Sequence, residues 1–492
     1  MKKLLLAFLA MILVLSLTAA MVGCTPAAPG DTQANVTEGN TEPPAETRPP
    51  VDSDFLVGFG AGDLTPYDMS VPLMGYGESQ LRMSKGYTTK LYAHALAVRD
   101  KNGNTAIMIS VDSAALTTTF CNAVQSRIEN KTGVPAKNII LSAIHQHSTP
   151  DYANGGYGDA TKYNQMMMKN TTQAAVDAIA DLSPAEIYIT STEAENLTFV
   201  RNYVCEDGSF KGPNYPSSSP VKDHESVADV TLQLLKFVRG GDKKDIIVSN
   251  FQSHPLMGSS GSSLEAHADY VGPYRDYVED ELDVHCMYFS GAAGNLTPVS
   301  EIARENVSRN MWDHGEKLGK YAVDAESTYT KVNSGDVKVA VSVKNYNTDK
   351  SQEHLYDTAV QFMKVWHEKG QNAAQAALKD YPGLRSIYHG KYVVIKHDLP
   401  STRMMTLYAI SFGDVAFTGT PCELYDQIGD QIKSESPAKM TIVTTQTNGC
   451  DGYIPSALGY QNGGYSVDIT RYAAGTGEQI ASDLVKMIQD LQ

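Results

Sequence analysis

The sequence predicts an α/β protein with a mixed β-sheet core and flanking helices. Two observations carry that class. Short apolar, β-branched runs recur as strands, and helical patterns often separate them. Residues that bear chemistry tend to stand just after such strands: Asp112, His145, His254, Asn295, Glu423 and Tyr453. In open α/β sheets ligand sites form at the carboxyl ends of strands, so residues scattered along the chain can converge there.

The chain opens with Met1-Lys-Lys and the apolar run Leu4 to Ala20. Its length and flanks fit a secretory signal rather than a membrane span. Met21-Val-Gly-Cys24 resembles the bacterial lipobox, in which the cysteine is acylated and becomes the mature N-terminus. The stretch that follows, to about Val51, is rich in Pro, Thr, Glu, Ala and Gly; it cannot bury a core and reads as a disordered tether. The expected organisation is a lipoprotein signal peptide over 1–23, a lipidated Cys24 with linker over 24–52, and one large domain over 53–492. The protein is expected outside the cytoplasm, lipid-anchored to a bacterial cell membrane. A formal net charge of −16 argues against nucleic acid as a partner, whose binders need a basic footprint. It also argues against electrostatic docking on anionic lipid. Cys121, Cys205, Cys286, Cys422 and Cys450 lack the spacings of a disulfide framework or a Cys-based zinc site, and a single bridge stays open.

Taken in order, Leu91 to Arg99 and Thr105 to Val111 read as strands joined by the turn Asp100-Lys-Asn-Gly103. Thr118 to Lys131 reads as a helix leading to an apolar strand at Asn138 to Ile144. Tyr163 to Ala180 is a predicted helix, Ala185 to Thr198 a strand, and Asp245 to Phe251 a strand ending at Ser253-His254-Pro255. Tyr270 to Leu282 reads as helix and Cys286 to Phe289 as strand, followed by predicted helices at Ala303 to Thr328 and Ser351 to Leu378. Met405 to Thr418 carries a Gly413-Asp414 turn between two strands; Met440 to Thr445 is the last strand and Gly477 to Leu491 the closing helix.

His145 and His147 stand at the end of the strand, two residues apart. In an extended chain that spacing points both imidazoles the same way, and a rigid strand end can hold them for zinc. A lone His-x-His is as often two polar loop residues. His254, before Pro255, would by itself more often be a satisfied histidine. Glu423 by itself could be a helix N-terminal charge, and the segment around Tyr453 a glycine-rich turn with a packed tyrosine.

Together these segments resemble the neutral/alkaline non-lysosomal ceramidase family. The likeness runs through Val57-Gly-Phe-Gly-Ala-Gly-Asp63-Leu-Thr-Pro66, Met74-Gly-Tyr-Gly77, Lys90-Leu-Tyr-Ala93, Ser110-Val-Asp112, Ile144-His-Gln-His-Ser148 and Phe199-Val-Arg201-Asn202. It continues, in the same order, through Ser253-His254-Pro255, Ala268-Asp269-Tyr270, Gly294-Asn-Leu-Thr-Pro298, Gly419-Thr-Pro-Cys-Glu423 and Asn448 to Tyr453. The resemblance implies a single large catalytic domain; the family's separate C-terminal immunoglobulin-like domain is not expected here, because the sequence stops after the helix ending at Leu491. The resemblance also implies a zinc ion held by His145, His254, Glu423 and Tyr453. By the same likeness His147 would hold the reacting carbonyl or nucleophile, while Arg201 and Tyr465 would line the site and steady the substrate.

One position departs from the family. Its serine, followed by Asn, aligns here with Gly291, and Ser290 falls one residue early. In an extended segment that one-residue step would send the side chain to the opposite face. The expected activity is therefore that of a zinc-dependent amidohydrolase cleaving the N-acyl bond of ceramide or a related lipid amide by zinc-activated water. Other His-x-His hydrolases, of the amidohydrolase or metallo-β-lactamase type, are disfavoured because no His-x-His-x-Asp-His follows. The non-enzymatic alternative is a surface lipoprotein that binds a lipid or glycan in a ceramidase-like pocket.

Overall fold

The computed structural model describes residues 48–492, apart from 77, 78, 214, 216, 260, 304 and 306. The expected signal peptide, Cys24 and most of the expected linker lie outside the described residues. Nine strands form the principal sheet. In spatial order they are His285–Ser290, Ile246–Phe251, Thr231–Arg239, Ser183–Glu193, Leu56–Asp63, Tyr92–Arg99, Thr105–Val111 and Ile139–Ala143, with Thr330–Val332 paired to Ser183–Glu193. The outermost pairs are parallel and the inner ones antiparallel, so the sheet is mixed, as the sequence predicts.

Right-handed twist of roughly 20° per strand accumulates, over eight strands, to something on the order of 150°. The sheet curls far enough for its two edges to meet. Ser110 Oγ donates to the Tyr288 carbonyl at 2.5 Å and Ser290 Oγ to the Ile144 carbonyl at 2.6 Å, joining strands that sit at opposite ends of the sheet order.

A second sheet, Val337–Asn347, Thr402–Phe412, Val415–Gly419 and Met440–Thr444, packs on one face of the first. Its Ile410, Phe412, Phe417 and Ile442 share one core with Val57, Leu96, Phe237 and Phe289. Helices Thr118–Thr132, Ala160–Ala180, Val271–Leu282 and Met311–Asp324 pack on the first sheet's other face. Asp426–Glu435 and Thr476–Leu491 cover the second sheet. The result is helices, sheet, sheet, helices.

The glycine-rich segment at the start of the resemblance has a packing cause. A Cβ on Gly58, Gly60 or Gly62 would come within 2.0, 2.1 or 2.3 Å of the carbonyl oxygens of Ala178, Ala174 and Asn170. Helix Ala160–Ala180 therefore lies directly on the backbone of strand Leu56–Asp63. The Asp181 carboxylate that ends this helix accepts the Phe59 amide at 2.9 Å.

Several expectations shift. The helix expected from Ala303 begins at Met311, because the Asn310 side chain accepts the amides of Trp312 and Asp313 and caps it there. The helix expected over 351–378 is two, Tyr356–Lys369 and Gln371–Ala377, divided at Gly370 with φ +82°. Strands Thr231–Arg239 and Val337–Asn347 and helix Ile387–Asp398 are additional. Residues 48–52, expected in the linker, lie within the compact body. Arg48 bridges to Gly241 and pairs with Asp245 at 2.8 Å. The five cysteines among the described residues are free.

Candidate metal centre

The two edges of the principal sheet are stitched by residues 444–448, the end of the last strand of the second sheet and the segment after it. On one side Asn448 donates its amide to Leu141 and accepts the Leu141 amide on Oδ1, at 2.8 and 2.9 Å. Ser142 and Thr447 bridge, with their hydroxyls 2.8 Å apart. On the other side Thr445 donates through Oγ1 to the Gly291 carbonyl at 3.1 Å. The candidate site lies at this seam.

Strand Ile139–Ala143 stops two residues before His145, and His145 has φ +67°. The two histidines are thus not brought together by strand alternation, as the sequence suggested, but by a turn in the left-handed region, a conformation uncommon for a residue with a side chain. Hydrogen bonds hold it: the His145 amide donates to Ser113 at 3.0 Å, and Nδ1 lies 2.5 Å from the Ala114 carbonyl. Gly75, with φ +116°, makes room for the result, since a Cβ there would meet that of His147 at 2.3 Å.

His254 follows strand Ile246–Phe251, and its Nδ1 lies 3.0 Å from the Leu296 carbonyl. Two histidines therefore each commit Nδ1 to a backbone carbonyl and leave Nε2 for the centre, the usual way in which outer partners orient metal-binding imidazoles. Both Nε2 atoms face one oxygen: Glu423 Oε2 stands 3.0 Å from that of His145 and 3.4 Å from that of His254. Glu423 and Tyr453 are register partners in a short parallel pair, so their side chains leave side by side. The chain packs closely behind them, because a Cβ on Gly294 would lie 2.6 Å from the Glu423 carbonyl.

His147 packs edge-on against His145 with ring centroids 5.0 Å apart, and both of its ring nitrogens are buried without a hydrogen-bond partner. The ligand atoms of His145, His147 and His254 all lie within 4.8 Å of one another. Arg201 donates to Ser466 Oγ at 2.8 Å and lies over the Tyr453 ring at 5.0 Å; Tyr465 stands 6.1 Å from that ring. The seven site residues implied by the resemblance are thus gathered in one region.

The electrostatics demand a cation. With Nδ1–H of each imidazole given to a carbonyl, neutral His145 and His254 would aim nitrogen lone pairs at a carboxylate oxygen. Burial alone would lower the His145 pKa, but the Glu423 carboxylate outweighs it and raises it. Burial pushes His254 down to about 4, and burial followed by the neighbouring imidazoles keeps His147 well below the usual histidine range. Burial opposes ionisation of Glu423, yet His145 and His254 hold it well below the carboxylate range. A proton on His145 or a metal ion can fill this role. Buried imidazole nitrogens without partners, a carboxylate and a phenol fit a borderline divalent metal such as zinc.

Asp112 and Asn295, read from the sequence among the chemically loaded positions, turn out to be clamps. Asp112 receives Arg275 through two bonds, at 2.9 and 2.6 Å, and the Tyr92 amide at 2.8 Å. Asn295 exchanges two bonds with Asp426, at 2.6 and 2.9 Å. Neither partner was read from the sequence, because Arg275 lies inside an ordinary amphipathic helix. Ser290 also departs from expectation. It lines the small pocket with His145, His254 and Glu423 rather than facing away. Gly291 is instead directed at Gln252, whose Oε1 would lie 2.4 Å from an added Cβ. Helix Ile387–Asp398 adds Tyr388, which packs edge-on against Tyr465 at 5.8 Å.

A curled mixed sheet whose seam gathers three imidazoles, a carboxylate and a phenol defines an α/β protein with a candidate metal centre. Residues 55–276 match the family described as neutral/alkaline non-lysosomal ceramidase, N-terminal. The neutral ceramidase of Oryza sativa subsp. japonica is 23% identical over 273 residues, covering 52% of this chain and 32% of that protein. The neutral ceramidase of Drosophila melanogaster is 26% identical over 274 residues, covering 51% and 36%. The matched stretch thus spans about a third of the length of these relatives. A solved structure of neutral ceramidase from Pseudomonas aeruginosa superposes with a TM-score of 0.65 at 17% identity, over 89% of this chain and 74% of that one, and shares the fold.

Proposed function

We propose that the chain is a zinc-dependent amidohydrolase that cleaves the N-acyl amide bond of ceramide or a related lipid amide. The observation that carries this reading is the carboxylate oxygen of Glu423 set against the Nε2 atoms of His145 and His254, each imidazole oriented from behind by a carbonyl. The family match and the likeness to neutral ceramidases supply the reaction class. His145, His254, Glu423 and Tyr453 would hold the metal. When bound, zinc supplies a Lewis acid that polarises the amide carbonyl and activates water for attack.

The remaining work falls to side chains. An amide has a poor leaving group, so its nitrogen must be protonated as the bond breaks; His147 and Tyr465 are the candidate donors. Arg201 would steady negative charge on the carbonyl oxygen. No acyl-serine can form at Gly291. The Ser290 proton is given to the Ile144 carbonyl rather than to a base, which favours direct attack by water over a serine nucleophile. Incubation with a panel of N-acyl lipids and N-acyl amino acids, read by mass spectrometry, tests the activity. A pocket that binds but releases no product would favour the lipoprotein alternative, in which a lipid or glycan is only gripped. Elemental analysis tests the centre: His254→Ala should lose zinc, and full retention would refute the ligand set. We further propose that Cys24 is acylated and anchors the protein outside the cytoplasm; Cys24→Ala should release it from membranes.

A further inference from the structure

Among the described residues twelve large apolar side chains are exposed, and they are not spread evenly. Val341, Val343 and Met404 lie on the flank of the second sheet; the other nine belong to segments at the end of the fold that carries the candidate centre. On one side of the centre stand Leu81, Tyr157 and Trp312. Leu81 precedes Arg82, whose guanidinium donates to the His147 carbonyl at 3.4 Å. Trp312 follows Met311, which packs on Gly258 beyond His254. On the other side stand Phe210, Val227 and Leu458, around Glu225, which accepts Asn202 and Asn462 at 3.0 and 2.7 Å beside Arg201. Leu81 is 76% and Val227 92% exposed. The turns at the opposite end carry charge instead: Asp100-Lys-Asn-Gly103, Asp242-Lys-Lys-Asp245 and Gly413-Asp414.

We propose that this apolar rim docks the mouth of the centre on a zwitterionic phospholipid bilayer. The inference rests on the reading that the substrate is a lipid amide, which must be drawn from such a surface. Separate loop tips bearing aliphatic side chains, with half-exposed Tyr and Trp among them, suit the interfacial layer, where an amphipathic ring finds both an apolar and a wet side. With a net charge of −16 the chain is repelled by anionic lipid, so the partner is an uncharged surface.

The chain has two tryptophans, so Trp366→Phe in the full-length protein leaves Trp312 as the reporter. On addition of phosphatidylcholine vesicles Trp312 emission should shift to the blue and be quenched by lipids brominated near the headgroup. In a Cys24→Ala background, which removes the proposed acyl anchor, Leu81→Asp and Val227→Asp should each lower vesicle partitioning roughly tenfold, with hydrolysis of a water-soluble short-chain N-acyl amide unchanged. Vesicle binding with Trp312 emission unmoved would overturn the proposal by placing the contact elsewhere, for instance at the N-terminal tether. A blue shift that grows with protein concentration without vesicles would overturn it in favour of a second copy. Failure to hydrolyse the soluble amide in the unsubstituted protein would count against the functional reading alone.

Discussion

Asp112→Asn isolates the buried clamp behind the centre. Asp112 and Arg275 side chains are 0% and 5% exposed and meet through two charge-assisted bonds. Asparagine keeps the shape and removes the charge, leaving a buried guanidinium without its counter-ion. Breaking such a pair from one side costs about 3–5 kcal/mol, a fifth or more of the roughly 5–15 kcal/mol that holds a typical domain folded. The damage should reach the metal. Asp112 directly precedes Ser113 and Ala114, whose carbonyls hold the backbone and Nδ1 of His145. Guanidinium denaturation of Asp112→Asn, Arg275→Met and the double variant forms a cycle. The double variant should regain much of the loss, with a coupling of at least about 1.5 kcal/mol. Zinc content should fall in Asp112→Asn. A loss below about 1 kcal/mol, or single losses that simply add, would refute the clamp.

Three further outcomes are expected. Ser290→Ala should lose less than about tenfold in turnover, roughly 1.4 kcal/mol of barrier, whereas Glu423→Ala should lose zinc and activity together; a thousandfold loss in Ser290→Ala with zinc retained would make the serine the nucleophile. Gly60→Ala should destabilise by about 1–3 kcal/mol or more, because its Cβ would lie 2.1 Å from the Ala174 carbonyl and helix Ala160–Ala180 must move; an unchanged denaturation midpoint would contradict that close seat. His314 is fully buried against Tyr270, and burial lowers its pKa to about 3. The unfolded chain binds this proton near pH 6.5 and the native one does not. Stability is thus intact above about 6.5 and lost as pH falls towards 3, by up to about 1.4 kcal/mol per unit. Denaturation between pH 6 and 4 should show a shallower slope for His314→Phe, and an identical slope would exclude the histidine.

Much of the fold was legible because periodicity is local. The hairpin about Asp100 to Gly103, the helix after Thr117 and the final helix follow from residues within one turn of each other. The gathering of His145, His147, His254, Glu423, Tyr453, Arg201 and Tyr465 was legible through ordered motifs that resemble a family, rather than through spacing. What escaped was long-range. Left-handed backbone at His145 is dictated by contacts to Ser113 and Ala114, and no pattern around the His-x-His announces it. The direction of Ser290 depends on how strand His285–Ser290 meets the opposite edge of the sheet. Arg275 and Gln252 acquire meaning only from partners that curling brings near.

The stitch at 444–448 also bears on how the protein comes into being. His145 and Glu423 are 278 residues apart, and the segment that closes the seam leaves the ribosome only after both of the strands it joins. Contacts of such separation are slow to form, since the long intervening loop must be ordered first. Until Met440–Thr444 docks, strands Ile139–Ala143 and His285–Ser290 are two bare parallel edges, the kind of surface on which chains pair wrongly with one another. A metal that binds only the closed form would pull this last step forward by mass action. Zinc supplied during refolding should then raise the yield of monomer, and chains cut before residue 440 should aggregate whatever metal is present.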